Sequence, residues 1–462
     1  MAFLNKTTSA SYIIAQATAL LLLIFNFPLG AATQPESGAT AVSLEGLLKS
    51  TLSQNGMIQE AVQDIEIARS QIELARAALF PKASVTILTG PMFEQRGNTT
   101  TSTSNIRKWG PFIQGGIQVV EPLYSFGMIP SYQKAAEGQW EAKTELAKAK
   151  RNDLTLMTKE FYYGYLMARD LEVLIDDLST VLEDAIKSTE APSVSKKSTG
   201  TIKPHDLYRL KTASSDLKQK KLLAQSGKKT AEKALNWISG SSYPDFESLN
   251  SGPEVFEKKT LEQYLALSKI NRPEFKALSA GIKARTALKE AKEAQDYPVI
   301  FLGGVLTKAW SPVADKQNSI FANDPFNGFL GGIGIGAKFD LEFARHSAEA
   351  HEQEAEMMKL KATESYAIPG IELQVKKAFL ELDQASQGLE IAEARKKLGK
   401  KWFLSNAMGW SIGITPAKDL MESLEGNGLS RKNYIETVYS LNMALARLSQ
   451  AVGIEIAQLT HP

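Results

Sequence analysis

Along residues 331–343, GGIGIGAKFDLEF, one parity is apolar throughout: Ile333, Ile335, Ala337, Phe339, Leu341 and Phe343. The other parity is Gly332, Gly334, Gly336, Lys338, Asp340 and Glu342. Strict period 2 predicts a strand with one face in oil and the other in water. Three more stretches read as strands. KASVTILT (82–89) sets Ala83, Val85 and Ile87 on one face, and IQGGIQVVE (113–121) sets Ile113, Ile117 and Val119 against Gln114 and Gln118. VIFLGGVLT (299–307) is apolar on both parities, which leaves its facing open. Each is about 8–11 residues long, the length of a tilted strand that crosses a bilayer.

Most of the remaining chain has a helical period. From Leu154 a seam runs through Met157, Phe161, Tyr165, Ala168, Leu171, Ile175, Leu178, Leu182 and Ala185. Its mean step is about 3.5 residues, the spacing of a coiled coil. The helix it predicts, from about 128 to 188, would be roughly 90 Å long. A second long helix is expected from about 343 to 404, with a kink or short break at Pro369-Gly370. Shorter return helices are expected at about 205–238 and 417–452. Taken alone, these stripes would also suit a plain coiled-coil rod.

The two halves of the chain repeat one plan. An offset of 217 places Ser43-Leu44-Glu45 on Thr260-Leu261-Glu262, Ile65 on Ile282 and Pro81 on Pro298. With a slip of one, VEPLYSFG (120–127) falls on KFDLEFAR (338–345), and TIKPHDL (201–207) resembles GITPAKDL (413–420). The expected organisation is a first repeat over 33–240, a Gly/Pro/Ser-rich joint over 241–257 and a second repeat over 258–462.

The strands argue against a plain rod. Polar loops are expected between the paired strands, at 90–111 and 308–328. Trp109, Phe112, Trp310, Phe326 and Phe329 stand near strand ends, as interfacial aromatics or as anchors of the loops. Four strands cannot close around a pore, and open edges cannot sit in lipid. Several chains must therefore pool strands, and three would supply about 12.

Composition narrows the function. The 462 residues are 43% hydrophobic and 23% charged, with a formal charge of +2. That offers no basic field for nucleic acid. Lys6, the apolar run YIIAQATALLLLIFNF (12–27), Pro28 and GAA (30–32) read as a signal peptide over 1–32. There is no cysteine, so neither disulfides nor an N-terminal lipid-modified cysteine are expected. The four histidines are His205, His346, His351 and His461. His346 and His351 are five apart rather than the four of a helical zinc pair, and no metal or other cofactor is expected. No nucleotide-binding loop is present, because the GGIGIG glycines lie inside an alternating strand. The chain does not read as an enzyme.

The order of these features resembles the TolC-type outer-membrane efflux family over nearly the whole chain after the signal. The resemblance rests on the repeat, on SLEGLLKSTLSQN and TLEQYLALSKINRPEF, on ARAALFPKASV and EPLYSFG around the first strand pair, and on DLYRLK and DLMESLE at the starts of the return helices. It implies a mainly α fold with a membrane β-barrel. Three chains would build a 12-strand barrel in the outer membrane of a Gram-negative bacterium and a coiled-coil tube in the periplasm. It implies a passive exit duct of a tripartite efflux or type I secretion system. The partners would be a periplasmic adaptor and an inner-membrane transporter. The other reading is a periplasmic coiled-coil adaptor or envelope scaffold without a pore. The exported substrate is not legible.

The resemblance also assigns residues. Ile333, Ile335, Phe339 and Leu341 would face lipid, and the glycines opposite would leave room in the lumen or permit strand curvature. The tips of the two helical hairpins would meet the adaptor, through Gly200, Asp206 and Leu207 and through Gly413, Asp419 and Leu420. Plain turn and capping chemistry would explain the same residues. Asp419 and Glu422, three apart, would ring a periplasmic aperture, unless they are only a solvated helix face. The first repeat has Asp206 and Arg209 at the matching positions.

Overall fold

A computed structural model of the chain describes residues 43–98, 100–190, 204–241, 252–319, 323–412 and 414–457, all within the unit Val42–Pro462. The expected signal segment and residues 242–251 of the joint lie outside the described residues. The first half contains α1 (Leu44–Gln54), α2 (Gly56–Ala77), β1 (Lys82–Gly97), β2 (Ser102–Tyr124), α3 (Met128–Glu190) and α4 (Pro204–Ser239). The second contains α5 (Leu261–Asn271), α6 (Pro273–Glu293), a 3-10 turn (Ala294–Asp296), β3 (Val299–Trp310), β4 (Phe329–Lys338), α7 (Phe343–Ser411) and α8 (Ala417–Val452). The element order repeats, as the offset of the sequence implies.

Local chemistry starts each half in the same way. The Ser43 hydroxyl accepts from the Gly46 N–H at 3.1 Å, and Thr260 and Gln263 form a capping box. Asn55 ends α1 and caps α2, accepting from the Met57 N–H at 2.9 Å. Its side-chain amide donates to the Ile238 carbonyl at 2.8 Å, which ties the first helices to the end of α4. Gly453 closes α8 with φ 84°, a left-handed conformation that glycine adopts without strain.

The seam read along α3 is the buried one. Tyr165, Leu178 and Leu182 are buried against α4 and α8, in clusters that include Leu235, Met443, Leu210, Leu420 and Leu424, and Leu154 is buried with Ile58 of α2 and Ile238 of α4. α7 lies along α8 and shares a second core of Val375, Leu382, Leu441, Leu445 and Leu448 with Tyr264 of α5. Of the kink or short break expected at Pro369-Gly370, the break does not occur, and α7 is one helix across both residues. Proline removes one backbone hydrogen bond there. The buried Ile371 and Val375 just beyond it hold the next turns by packing.

α6 and α7 are joined by Arg285 to Gln353 at 2.8 Å, Lys289 to Glu354 at 3.1 Å and Lys292 to Glu349 at 2.6 Å. Hydrogen bonds from Lys292 and then Arg345 pull the Glu349 carboxyl down to about 2. The joint between the halves is stitched down. Phe256 bridges Ala457, and the Asn442 side chain accepts from the Glu254 N–H at 2.9 Å and donates to the Gly252 carbonyl at 3.2 Å.

The strands form one antiparallel sheet in the order β1-β2-β3-β4. β1 and β2 extend well past their expected ends, so most of the polar loop expected at 90–111 is strand. Glu94 pairs with Asn105 and Arg96 with Thr103 beyond a bulge at Phe93/Glu94. Both faces are polar in this part, so hydrophobic alternation carries no signal for it. Conversely, β4 stops at Lys338, opposite Val299. The next position on the partner is Pro298, which has no N–H to continue the ladder. Phe339 and Leu341, expected in the strand, therefore lie just beyond it.

Candidate functional site

The sheet register decides which side chains share a face. Directly paired residues in an antiparallel sheet point the same way. Ala83 pairs with Val119, Val119 with Gly304 and Gly304 with Ile333. Val85 pairs with Ile117, and Ile117 with Leu306. Leu302 pairs with Ile335. One face thus carries Val85, Ile87, Ile113, Ile117, Leu302, Leu306, Ile333 and Ile335, all exposed in the single chain, with Ile333 at 85%. The facing of β3, open in the sequence, is fixed by its neighbours. Leu302 and Leu306 join the apolar face, and Phe301 and Val305 take the other.

The opposite face carries Ser84, Thr86, Gln114, Gln118, Gly303, Thr307, Gly332, Gly334 and Gly336. Two of these glycines have a packing reason. A Cβ on Gly336 would come within 2.6 Å of the Phe301 ring, and one on Gly303 within 3.2 Å. Gly332 and Gly334 meet nothing within 4 Å, so they leave open space.

The aromatics separate by face as well. Trp109, Trp310 and Phe329 are exposed and share the apolar face, at the end of the sheet away from the long helices. That is where an interfacial girdle belongs. Phe112 faces the other way and meets Phe326 edge-on at 6.1 Å, so this pair anchors the β3–β4 loop. The loop is further pinned to the β1–β2 hairpin by Arg96 and Asp315 at 2.7 Å.

At the other end of the molecule, α7 turns into α8. The Gly409 carbonyl accepts from the N–H groups of Ile414 at 2.8 Å and Thr415 at 3.2 Å. A Cβ on Gly409 would strike the Thr415 hydroxyl at 2.1 Å, so the turn requires glycine there. Asp419 and Glu422 are both exposed on one side of the first turns of α8. Lys418, overlooked in the sequence, stands 3.7 Å from Glu422 at the i, i+4 spacing. Leu420 is buried among Leu178, Leu182 and Leu424, where it holds the turn from inside. Met408, Ile412 and Ile414 are each more than two-thirds exposed around the turn. Their signal was the apolar run within NAMGWSIGIT, which a solvated turn does not need.

At the other tip, Leu207 is half-buried and Tyr208 is exposed. Lys211 reaches Glu190 at 2.9 Å, joining α4 to the end of α3. Gly200 and Gly413 lie outside the described residues, and Asp206 falls in the first turn of α4.

Residues 47–240 match the family model of the outer membrane efflux protein. The match lies within the first of the two repeats. Solved outer-membrane channels share the fold of this chain over nearly its whole length. The Campylobacter jejuni CmeC outer membrane channel superimposes with a TM-score of 0.72 at 14% identity, covering 90% of this chain and 87% of that one. The Neisseria gonorrhoeae MtrE outer membrane channel, in its open state, gives 0.72 at 16%, covering 91% of each. The outer membrane protein VceC of Vibrio cholerae gives 0.71 at 14%, covering 89% and 96%. No curated protein matches as a relative. No helix among the described residues is long and apolar enough to cross a membrane.

Proposed function

We propose that three copies pool their sheets into a closed barrel of about 12 strands and their helices into a tube, as a passive exit duct. The observation that carries this reading is the four-stranded sheet itself. Its apolar face is exposed, and β1 and β4 are its edges. Because the strands alternate in direction, β4 of one copy runs antiparallel to β1 of the next. Identical copies therefore close the ring without breaking the alternation, and closure satisfies the edge groups that lipid cannot. Lys308 and Glu121 interrupt the apolar face only near its two ends, where charged side chains reach the interface.

The tips are the docking points for a periplasmic adaptor, which links the duct to an inner-membrane transporter. Met408, Ile412 and Ile414 offer apolar surface there beside Asp419. Asp419 and Glu422 from three copies make acidic rings at the aperture, which attract cations and narrow the opening. Lys418 offsets part of that charge on each copy.

The test is planar-bilayer conductance of the detergent-extracted protein, with and without the double change Asp419→Ala/Glu422→Ala. Small cation-selective currents that grow in the double variant are expected. Unchanged currents would keep the duct and discard the acidic aperture. Folded, helical protein that neither inserts nor conducts would return the chain to the scaffold reading.

A further inference from the structure

The segment that joins β4 to α7 has a second property, unrelated to spanning the membrane. It reads Asp340-Leu341-Glu342-Phe343-Ala344-Arg345-His346. Residues 339–342 lie between strand and helix, and α7 begins at Phe343. Glu342 is the N-cap of α7, with φ −91° and ψ 44°. The Glu342 carbonyl accepts from the His346 N–H at 3.0 Å, which is the first turn of that helix. The connection from strand to helix brings three metal-ligating side chains together. One ligand atom from each of Asp340, Glu342 and His346 lies within 4.8 Å of the other two.

His346 sets this cluster apart from an ordinary patch of surface acids. Its side chain is only 3% exposed, and its Nδ1 is 2.8 Å from an Asp296 carboxylate oxygen. A carboxylate on Nδ1 holds that nitrogen as the N–H donor and leaves the lone pair on Nε2. Nε2 has no hydrogen-bond partner among the described residues. Asp296 comes from the 3-10 turn before β3, so the ring is oriented by the neighbouring connection of the sheet. A buried imidazole held by a carboxylate beside two further carboxylates is the arrangement of a three-ligand metal site with its outer support. Arg345 bonds one oxygen of Glu342 and leaves the other for a ligand.

We propose that Asp340, Glu342 and His346 bind one divalent transition-metal ion per chain, of the zinc type, at the root of the sheet. The mixed nitrogen and oxygen donors favour Zn²⁺ or Co²⁺ over Mg²⁺, which prefers oxygen alone and retains its water. Three protein ligands leave a coordination position for water. The ion would lock the exit of β4 to the first turn of α7 and, through His346, to the turn that enters β3.

The test uses the full-length, untagged protein in detergent, treated with chelator and then titrated calorimetrically with Zn²⁺ or Mg²⁺. One Zn²⁺ per chain with no matching Mg²⁺ isotherm is expected. Co²⁺ should give the visible absorption of a low-symmetry site with a nitrogen ligand. Asp340→Asn/Glu342→Gln changes two exposed side chains and should abolish binding while the circular dichroism stays unchanged. Asp296→Asn should weaken binding by about tenfold or more. The absence of saturable Zn²⁺ binding would overturn the proposal. So would Zn²⁺ binding that the double variant leaves intact, which would place the ion elsewhere. Neither result depends on conductance, so the site and the duct are tested separately.

Discussion

Glu349 shows what a single side chain contributes at the seam between α6 and α7. Its carboxyl is held at about 2 by hydrogen bonds from Lys292 and Arg345, against an ordinary 4.5. A carboxyl depressed in the folded state adds stability above its unfolded value and loses it as pH falls through the folded one. The contribution is therefore complete above about pH 4.5 and shrinks from there toward about pH 2. Glu349→Gln should lower the thermal midpoint at pH 7 and lower it less at pH 3. Melting curves of both proteins at the two pH values check this, and an equal deficit at both would remove the ion pair as the cause. Deeper in the molecule, burial first and Glu254 second raise the Tyr163 hydroxyl far above the usual phenol range, so Tyr163 serves as a donor to Glu254 at 3.0 Å.

At the scale of elements, the contact between β3 and β4 depends on a ring lying over glycines. Gly336→Val would place a branched side chain where the Phe301 ring now sits. The displaced ring should cost about 1–3 kcal/mol, as overpacking does. Gly334→Val, which meets open space, should cost less. Thermal midpoints of the two variants, compared with the parent, check the order. This contrast could not be read from the sequence, where Gly334 and Gly336 fall on one parity and look alike. The long helices were legible because their apolar seams extend over many turns. The starts of α3 at Met128 and α7 at Phe343 were read directly, since a strand pattern changes there to a helical one. The extension of the β1–β2 hairpin was not legible, because a strand standing in water has no apolar parity. The facing of β3 needed its neighbours, since a strand apolar on both sides gives no preference by itself. Of the residues proposed for the aperture, the two acids drew attention by their spacing. Lys418 was overlooked because a search for like charges passes over the cation just before them.

For the whole molecule, the sheet predicts its own stoichiometry. Light scattering of the detergent-extracted protein should report three chains per particle. One chain per particle with an intact sheet would rule out closure by neighbouring copies. The sequence supplied the twofold plan through its offset of 217, and the structure adds that β2 and β3 join the two halves in one sheet. The halves are thus not separate bodies. Their helices share cores, as where Leu210 of the first half meets Leu420 and Leu424 of the second.

The bare apolar face of that sheet also bears on how the protein is made. In the duct proposed above, a chain bound for the outer membrane crosses an aqueous compartment before it reaches lipid, and there Ile333 and Ile335 would face water on an unpaired edge strand. Such an edge invites wrong partners. The helices can form early, since their seams are satisfied within one chain. The sheet gains its stability only when other copies and the bilayer arrive together. Biogenesis should therefore slow on dilution, with the last step a meeting of chains rather than the folding of one. Holding chaperones would act on the strands and leave the helices alone.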